Sequence, residues 1–227
     1  MVAAPDKFRG TASAAAVAAA VARSVVDAGG SAVEVPMADG GEGTLEALGG
    51  PNRTTRVTGP LGRPVEASWR LDGSTAVIEM ALTSGLLLAG GLDGNRALDA
   101  TTAGTGELIR LAVEQGARRV LVGMGGSATT DGGLGALRAM GSPARYRGVD
   151  LLVACDVRTS FVDAAEVFGP QKGASPAEVE LLRRRLERLA QVYDEEYGVA
   201  VGDLPRAGAA GGLAGGLAAI GASLVDG

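Results

Sequence analysis

The sequence has no histidine and a single cysteine, and these two shortages limit the chemistry open to it. Without histidine a Ser-His-Asp triad is impossible, so acid–base catalysis must fall to carboxylates, lysine or tyrosine. A lone cysteine, Cys155, excludes an internal disulfide framework and is typical of a reducing cytosol. No cluster of cysteine and histidine exists to bind zinc. We therefore expect a cytoplasmic protein.

The sequence also lacks the signals that mark several other classes of protein. No stretch is long enough and free enough of charge to span a bilayer, and the basic-then-apolar pattern of a signal peptide is missing. A net charge of −5 argues against nucleic acid or an anionic membrane as the partner. Neither the Walker motif of NTPases nor the G-x-S-x-G elbow of hydrolases occurs. We expect small-molecule partners.

Aromatic residues make up 3% of the chain, whereas hydrophobic residues make up 46%. Alanine, valine, leucine and glycine must therefore fill the core, as in tightly packed α/β enzymes. A chain of 227 residues is long enough for one large α/β domain or two modest ones.

The most informative stretch is the glycine-rich run Gly123–Gly133. It follows an apolar run at Val120–Val122 that predicts a buried parallel strand, and it precedes leucines spaced as on one face of a helix. Such a strand-to-helix turn directs backbone N–H groups at an anion. We interpret the run as a cradle for phosphate or carboxylate in which Asp131 holds a metal or a proton. A merely tight turn is the alternative.

Acidic side chains follow predicted strands at four places along the chain. Each comes with glycine or polar residues, in strand-loop-helix units that predict a parallel sheet with its ligands at the strand ends. These acids are Asp6, Asp39 with Glu42, Asp131 and Asp156. Any one alone is typical of a solvated loop charge. Together they favour Mg²⁺, which binds oxygen ligands and bridges phosphates, and they favour phosphoryl transfer.

Two further motifs have competing interpretations. Gly123-x-Gly125-x-x-Ala128 fits the dinucleotide fingerprint, which also requires a ribose-binding acid about 20 residues on, at the end of the next strand. Asp150 lies at the start of that strand rather than at its end, so a nicotinamide enzyme becomes a minor alternative. The turn at 168–173 displays Lys172, either as a positive group for phosphate or as part of a surface turn.

The middle of the chain has a different hydrophobic pattern. Short alternating runs at 54–58, 67–71 and 76–80 predict hairpins, and we place a domain change in the 80s. One helix is predicted from Thr11 or Ser13 to Ala28, and a second opens at 101–107 and runs through Gln115, with Gly116 as its cap. A third follows the capping box Ser175–Glu178.

The chain resembles the bacterial glycerate kinase family. The matching stretches occur in the family's order and cover nearly the whole chain: 4–9, 36–44, 102–109, 125–133, 154–157, 167–174 and 208–216. The resemblance implies ATP- and Mg²⁺-dependent phosphorylation of D-glycerate, with the 2-hydroxyl favoured. It also implies two α/β domains, one Rossmann- or flavodoxin-like with a parallel sheet and one inserted into it, with the active site in the cleft between them.

Site residues can be carried over by position. The resemblance implies a catalytic role for Asp131, Asp156, Arg9 and Lys172, with Asp156 or Asp131 as metal ligand or base. It implies substrate or phosphate binding by Asp6, Asp39, Thr102, Gly104, Thr105, Gly125, Gly126 and Ser127. Where Arg9 stands the family usually has lysine, so a basic group is kept but its geometry differs.

The family extends well beyond the length of this chain. We therefore expect residues 1–80 to be the first part of the Rossmann-like domain, with the rest of that domain following in a segment not present here, and residues 81–227 to be mostly the inserted domain. A non-catalytic or truncated protein that binds a hydroxy acid is the main alternative function.

Overall fold

A computed structural model describes residues 1–6, 8 and 11–227. The architecture is mixed α/β, as predicted, and most of its strand pairs are parallel. Strands β1 (Val2–Ala3) and β2 (Val33–Glu34) pair in parallel and are joined by helix α1 (Ala14–Asp27). The Ser13 side chain accepts a hydrogen bond from the Ala16 N–H and so caps α1, in agreement with the predicted start.

The main sheet has six strands in sequence order, β3 to β8. Their bounds are β3 (Arg53–Thr58), β4 (Pro64–Asp72), β5 (Thr75–Glu79), β6 (Arg119–Gly123), β7 (Asp150–Ala154) and β8 (Ser223–Val225). The first three strands run antiparallel, as the predicted hairpins require, whereas β5 to β8 run parallel. The sheet continues from β5 to β6 across the predicted domain change in the 80s, and the division into domains stays a prediction.

Helices cover this sheet and connect its parallel strands. They are α2 (Thr44–Ala47), α3 (Ala81–Ser84), α4 (Gly91–Gly94), α5 (Ala103–Glu114), α6 (Leu134–Met140), α7 (Ala164–Phe168), α8 (Pro176–Tyr197) and α9 (Leu213–Ala219), with short 3₁₀ turns at Pro143–Tyr146, Pro170–Lys172 and Ala209–Gly212. The predicted capping box at the start of α8 is present, since the Ser175 and Glu178 side chains each accept the other's backbone N–H.

The main hydrophobic core lies against the main sheet. Its largest buried side chains include Trp69, Ile78, Leu108, Phe161 and Tyr193, and alanine fills much of the remainder, as the composition predicts. In the part of the chain that the structure describes, no helix has the length and apolar character needed to cross a membrane.

The register of the sheet positions the site. Glu79 pairs with Gly123, Gly123 with Ala154, and Ala154 with Val225, so the last residues of four parallel strands form one row. The loops that follow these strands therefore leave the same edge of the sheet, which is where open α/β sheets bind ligands.

Candidate active site

The loops after β2 and β6 meet each other and the last residue of β7 through backbone contacts. The Gly125 N–H donates to the Gly40 carbonyl at 3.2 Å, and the Met124 N–H donates to the Ala154 carbonyl at 3.2 Å. A Cβ at Gly40 would lie 2.3 Å from the Ala154 oxygen, and one at Gly125 would lie 2.5 Å from the Gly41 Cα. Glycine at these two positions therefore allows the loops to touch.

A cavity of about 480 Å³ opens between these loops, and we call it the strand-end cavity. Its volume lies in the range of small-molecule sites, roughly 300–1,000 Å³. The residues that line it are Asp39, Gly40, Leu86, Met124, Gly125, Gly126, Ser127, Cys155, Asp156, Val157, Phe168, Gln171, Lys172, Ala209 and Ala210. The structure thus brings together six of the predicted site residues: Asp39, Gly125, Gly126, Ser127, Asp156 and Lys172.

Lys172 is the buried cation of the strand-end cavity. Its side chain is 3% exposed, its Nζ donates to the Thr129 carbonyl at 2.6 Å, and its charge faces the Phe168 ring at 5.8 Å. Burial lowers the pKa of the Lys172 ammonium to about 7, although the nearby Asp131 carboxylate opposes this shift. The turn at 168–173 is therefore on the surface at Pro170, Gln171 and Gly173, but its lysine is buried against the cavity.

Asn95 fixes the position of this turn, and the sequence analysis did not single it out. Its Nδ2 donates to the carbonyl of Lys172 at 2.8 Å and to the carbonyl of Ala128 at 2.9 Å. One side chain thereby joins the two segments that border the cavity. The sequence gives no signal for this role of Asn95, because the residues that it binds are distant in the chain.

Asp39 and Asp156 are the two carboxylates that line the cavity. Asp39 is half-buried, and its Oδ1 accepts the Gly41 N–H at 2.9 Å, whereas Asp156 is exposed. Between Asp156 and strand β7 lies Cys155, whose thiol pKa is raised by burial to about 11. The thiol is therefore neutral at physiological pH and is a poor nucleophile.

Asp131 lies elsewhere, with both carboxylate oxygens hydrogen bonded. One oxygen accepts the Thr102 N–H at 2.8 Å, the Thr102 hydroxyl at 2.9 Å and the Gly135 N–H at 3.2 Å, and the other accepts the Gly133 N–H at 3.1 Å. Burial raises the pKa of this carboxyl group and outweighs these hydrogen bonds, which lower it. Asp131 joins the starts of α5 and α6, and its catalytic or metal-binding role stays a prediction.

A test of Asp131 follows from these four donors. We expect Asp131→Asn to lower the free energy of unfolding by about 1–3 kcal/mol, because an amide NH₂ would face N–H or O–H donors in a buried place. Urea denaturation measures this, with Asp194→Asn on the exposed face of α8 as the matched control. If Asp131→Asn instead leaves stability unchanged and abolishes activity, Asp131 has a chemical role rather than the structural one.

Thr102, Gly104 and Thr105 are packed inside the protein rather than along the strand-end cavity. The Thr105 hydroxyl is 2.7 Å from the Thr83 hydroxyl, and a Cβ at Gly104 would lie 2.0 Å from the Thr58 carbonyl. These contacts seat the start of α5 against β3 and α3. Contact of these three residues with phosphate stays a prediction.

The remaining predicted residues belong to the N-terminal part of the chain. Asp6 lines a second cavity of about 380 Å³, together with Glu42 and Glu46, beside the start of α1. Arg9, the predicted basic group, lies outside the described residues, as do Lys7 and Gly10. The role proposed for Arg9 therefore stays a prediction.

Sequence analysis missed two acids at the same sheet edge. Glu79, at the end of β5, is buried, and its Oε1 accepts the N–H groups of Gly43 at 3.0 Å and Leu45 at 2.6 Å, which holds the loop after β2. Asp226 follows β8 and pairs with Arg206. The signal for Glu79 was an acid directly after the apolar run 76–78, which the hairpin interpretation passed over.

The described residues contain no cluster of three or more acidic, cysteine or histidine side chains that could hold a metal by itself. Mg²⁺, however, is usually bound through one or two carboxylates together with phosphates of the substrate. Asp39 and Asp156 on one cavity supply such a pair. The donor set therefore fits a Mg²⁺ ion that arrives with a phosphate ligand.

The chain is similar to known proteins over its whole length. The model of the glycerate kinase family matches residues 1–145 and 142–227, which together span the chain. Glycerate 2-kinase of Escherichia coli is 40% identical over 267 aligned residues, covering 100% of this chain and 70% of that protein. Glycerate kinase of Bacillus subtilis is 39% identical over 252 residues, covering 94% of this chain and 66% of that protein.

A solved structure agrees with these relatives. The crystal structure of a proposed glycerate kinase 2 from Salmonella typhimurium superposes with a TM-score of 0.89 at 36% identity, covering 99% of this chain and 72% of that one. The chain thus spans about two thirds of the length of the relatives it matches. On the family match, the relatives and the shared fold, the chain belongs to the glycerate kinase family, a family of phosphotransferases.

Proposed function

We propose that the protein containing this chain transfers the γ-phosphoryl group of ATP to a hydroxyl of D-glycerate, at the 2-position, in a Mg²⁺-dependent reaction in the cytoplasm. The relatives named glycerate kinase and glycerate 2-kinase support the reaction and the position. The observation that carries the proposal is the strand-end cavity, in which a buried lysine, two carboxylates and the Gly125–Ser127 loop face one volume.

Phosphoryl transfer depends on positioning and on neutralising charge rather than on covalent catalysis. Lys172 suits this task, because an anionic phosphoryl group beside it favours the charged ammonium and raises a pKa that burial has lowered to about 7. The loop Gly125–Ser127 carries only small side chains, which lets a phosphate or carboxylate approach the backbone closely.

In this proposal, one of the carboxylates Asp39 and Asp156 accepts the substrate's proton and the other binds Mg²⁺. The substrate hydroxyl oxygen bonds to the γ-phosphorus, the bond from that phosphorus to the ADP oxygen breaks, and the hydroxyl proton passes to one carboxylate. The other carboxylate would hold Mg²⁺, which when bound neutralises charge on the phosphate oxygens. We assign the proton to Asp156, which is the more exposed of the two, and the metal chiefly to Asp39.

Two variants separate these roles. We expect Asp156→Asn to lower kcat by about 10²–10⁴, the usual contribution of a positioned acid or base, at any Mg²⁺ concentration. We expect Asp39→Asn to raise the Mg²⁺ concentration needed for half-maximal rate and to recover activity at high Mg²⁺. Steady-state kinetics against Mg²⁺ measures both, with Asp194→Asn as control. The opposite pattern would exchange the two assignments.

The proposed activity is tested with the full-length protein. A coupled assay of ADP release should require both D-glycerate and Mg²⁺, and nuclear magnetic resonance of the product should show 2-phosphoglycerate. Production of 3-phosphoglycerate would overturn the position alone. A folded, full-length protein that releases no ADP with glycerate would overturn the kinase proposal and favour a protein that binds a hydroxy acid without turnover.

A further inference from the structure

A separate cavity of about 350 Å³ lies behind the turn that carries Asp131, and we call it the α8 cavity. It is bounded by α8, by the segment 97–100 and by the start of α6. Its lining consists of Ala97, Leu98, Ala100, Thr130, Asp131, Leu134, Arg185, Arg188 and Leu189. Most of the wall is aliphatic, so the cavity suits a small apolar group more than a phosphate.

Two arginines at the mouth of the cavity determine which charge its ligand should carry. Arg185 donates to the Leu98 carbonyl at 3.0 Å, and among the described residues it forms no ion pair. Arg188 is exposed and lies 3.8 Å from Glu195, so its charge is weakly paired. A guanidinium has five N–H donors and binds carboxylates well. The mouth therefore favours an anion.

A buried hydroxyl group in the cavity indicates which polar atoms the ligand should have. Thr130 is 1% exposed, and its hydroxyl has no hydrogen-bond partner, which is costly for a buried polar group. The neighbouring Asp131 carboxylate accepts hydrogen bonds from Thr102, Gly133 and Gly135 and none from the Thr130 hydroxyl. A ligand with its own oxygen atom would complete the site.

We propose that the α8 cavity binds a small hydroxy or oxo carboxylic acid with a short aliphatic tail. Its carboxylate pairs with Arg185, its neighbouring oxygen meets the Thr130 hydroxyl, and its tail packs against Leu98, Leu134 and Leu189. This ligand differs from the substrate proposed for the strand-end cavity, because that cavity presents a lysine and two carboxylates, whereas the α8 cavity presents two arginines. The inference does not depend on the kinase activity.

Binding of 2-hydroxy-4-methylvalerate to the full-length protein, measured by calorimetry, tests the proposal. We expect millimolar or tighter binding, weakened at least about tenfold in Arg185→Gln, which removes a charge-assisted hydrogen bond. The matched control is Arg184→Gln, one residue along α8 and directed to solvent with Glu180. Equal affinity in the two variants, or no binding to the unmodified protein, would overturn the proposal.

Two further comparisons locate the ligand. We expect 4-methylvalerate, which lacks the hydroxyl, to bind more weakly than the hydroxy acid, and we expect Thr130→Val to remove this difference. Asp156→Asn should leave the affinity unchanged, since Asp156 lines the strand-end cavity and not the α8 cavity. Loss of binding in Asp156→Asn would place the acid in the strand-end cavity and refute the inference.

Discussion

Replacing Lys172 by methionine is expected to remove most of the proposed activity and, at the same time, to stabilise the ligand-free protein. The loss of activity has a direct cause, because the only buried cation among the residues described along the strand-end cavity disappears. Removing one preorganised group that stabilises transition-state charge costs about 10²–10³ in kcat. Steady-state kinetics of the full-length protein measures this fall.

The size of this gain in stability depends on pH. The pKa of Lys172 is about 7 in the folded protein and 10.5 as the ordinary value, so between these limits the unfolded chain binds the extra proton. The stability of the unsubstituted protein therefore rises with pH between about 7 and 10.5, by at most about 1.4 kcal/mol per pH unit. Below pH 7 the full cost of burying the charge is present.

Lys172→Met should remove that slope. We expect its stability advantage to be greatest at or below pH 7 and to shrink as the pH rises toward 10, reduced throughout by the hydrogen bond to Thr129 that the variant lacks. Urea denaturation at a series of pH values gives the comparison, with exposed Arg184→Met as the control. Parallel pH dependence in Lys172→Met and the unsubstituted protein would show that Lys172 is not titrating near neutrality.

The second large effect is expected from Gly40→Ala. Gly40 has φ +78°, and its added Cβ would lie 2.3 Å from the Ala154 carbonyl, which belongs to the backbone of β7 and cannot turn away. The left-handed conformation alone costs about 1–2 kcal/mol for alanine. The clash adds to this and separates the Asp39 loop from the ends of β6 and β7, so we expect a stability loss above about 3 kcal/mol and loss of activity.

Gly116→Ala is the matched control for that prediction. Gly116 has φ +99° at the end of α5, and no atom lies within 4 Å of its added Cβ. It therefore reports the conformational cost without a clash and away from the cavity. Equal destabilisation by Gly40→Ala and Gly116→Ala, measured by thermal and urea denaturation, would show that the contact between Gly40 and Ala154 is dispensable.

Local sequence patterns predicted the elements correctly where the signal was local. The polar Ser13 caps α1, the capping box at Ser175 starts α8, and Gly116 follows α5 with a positive φ. The acids after β2 and β7 also lie at the cavity as expected, because parallel strands end at one edge. Strand β5 was harder, since its hairpin with β4 is local, whereas its parallel pairing with β6 joins residues 44 positions apart, from Thr75 to Arg119.

The α/β class, the glycine loops at the strand ends and the family resemblance could all be predicted from the sequence, and the comparisons confirm the family. Only the tertiary structure distinguished Asp156 from Asp131, which look alike in sequence. Asp156 lies two residues after the end of β7 and therefore remains at the edge of the sheet. Asp131 lies eight residues beyond β6 and accepts hydrogen bonds from Thr102, 29 residues away in the chain. The structure likewise decided that Lys172 is buried. Burial and hydrogen-bond partners depend on residues distant in the chain, and no local pattern encodes them.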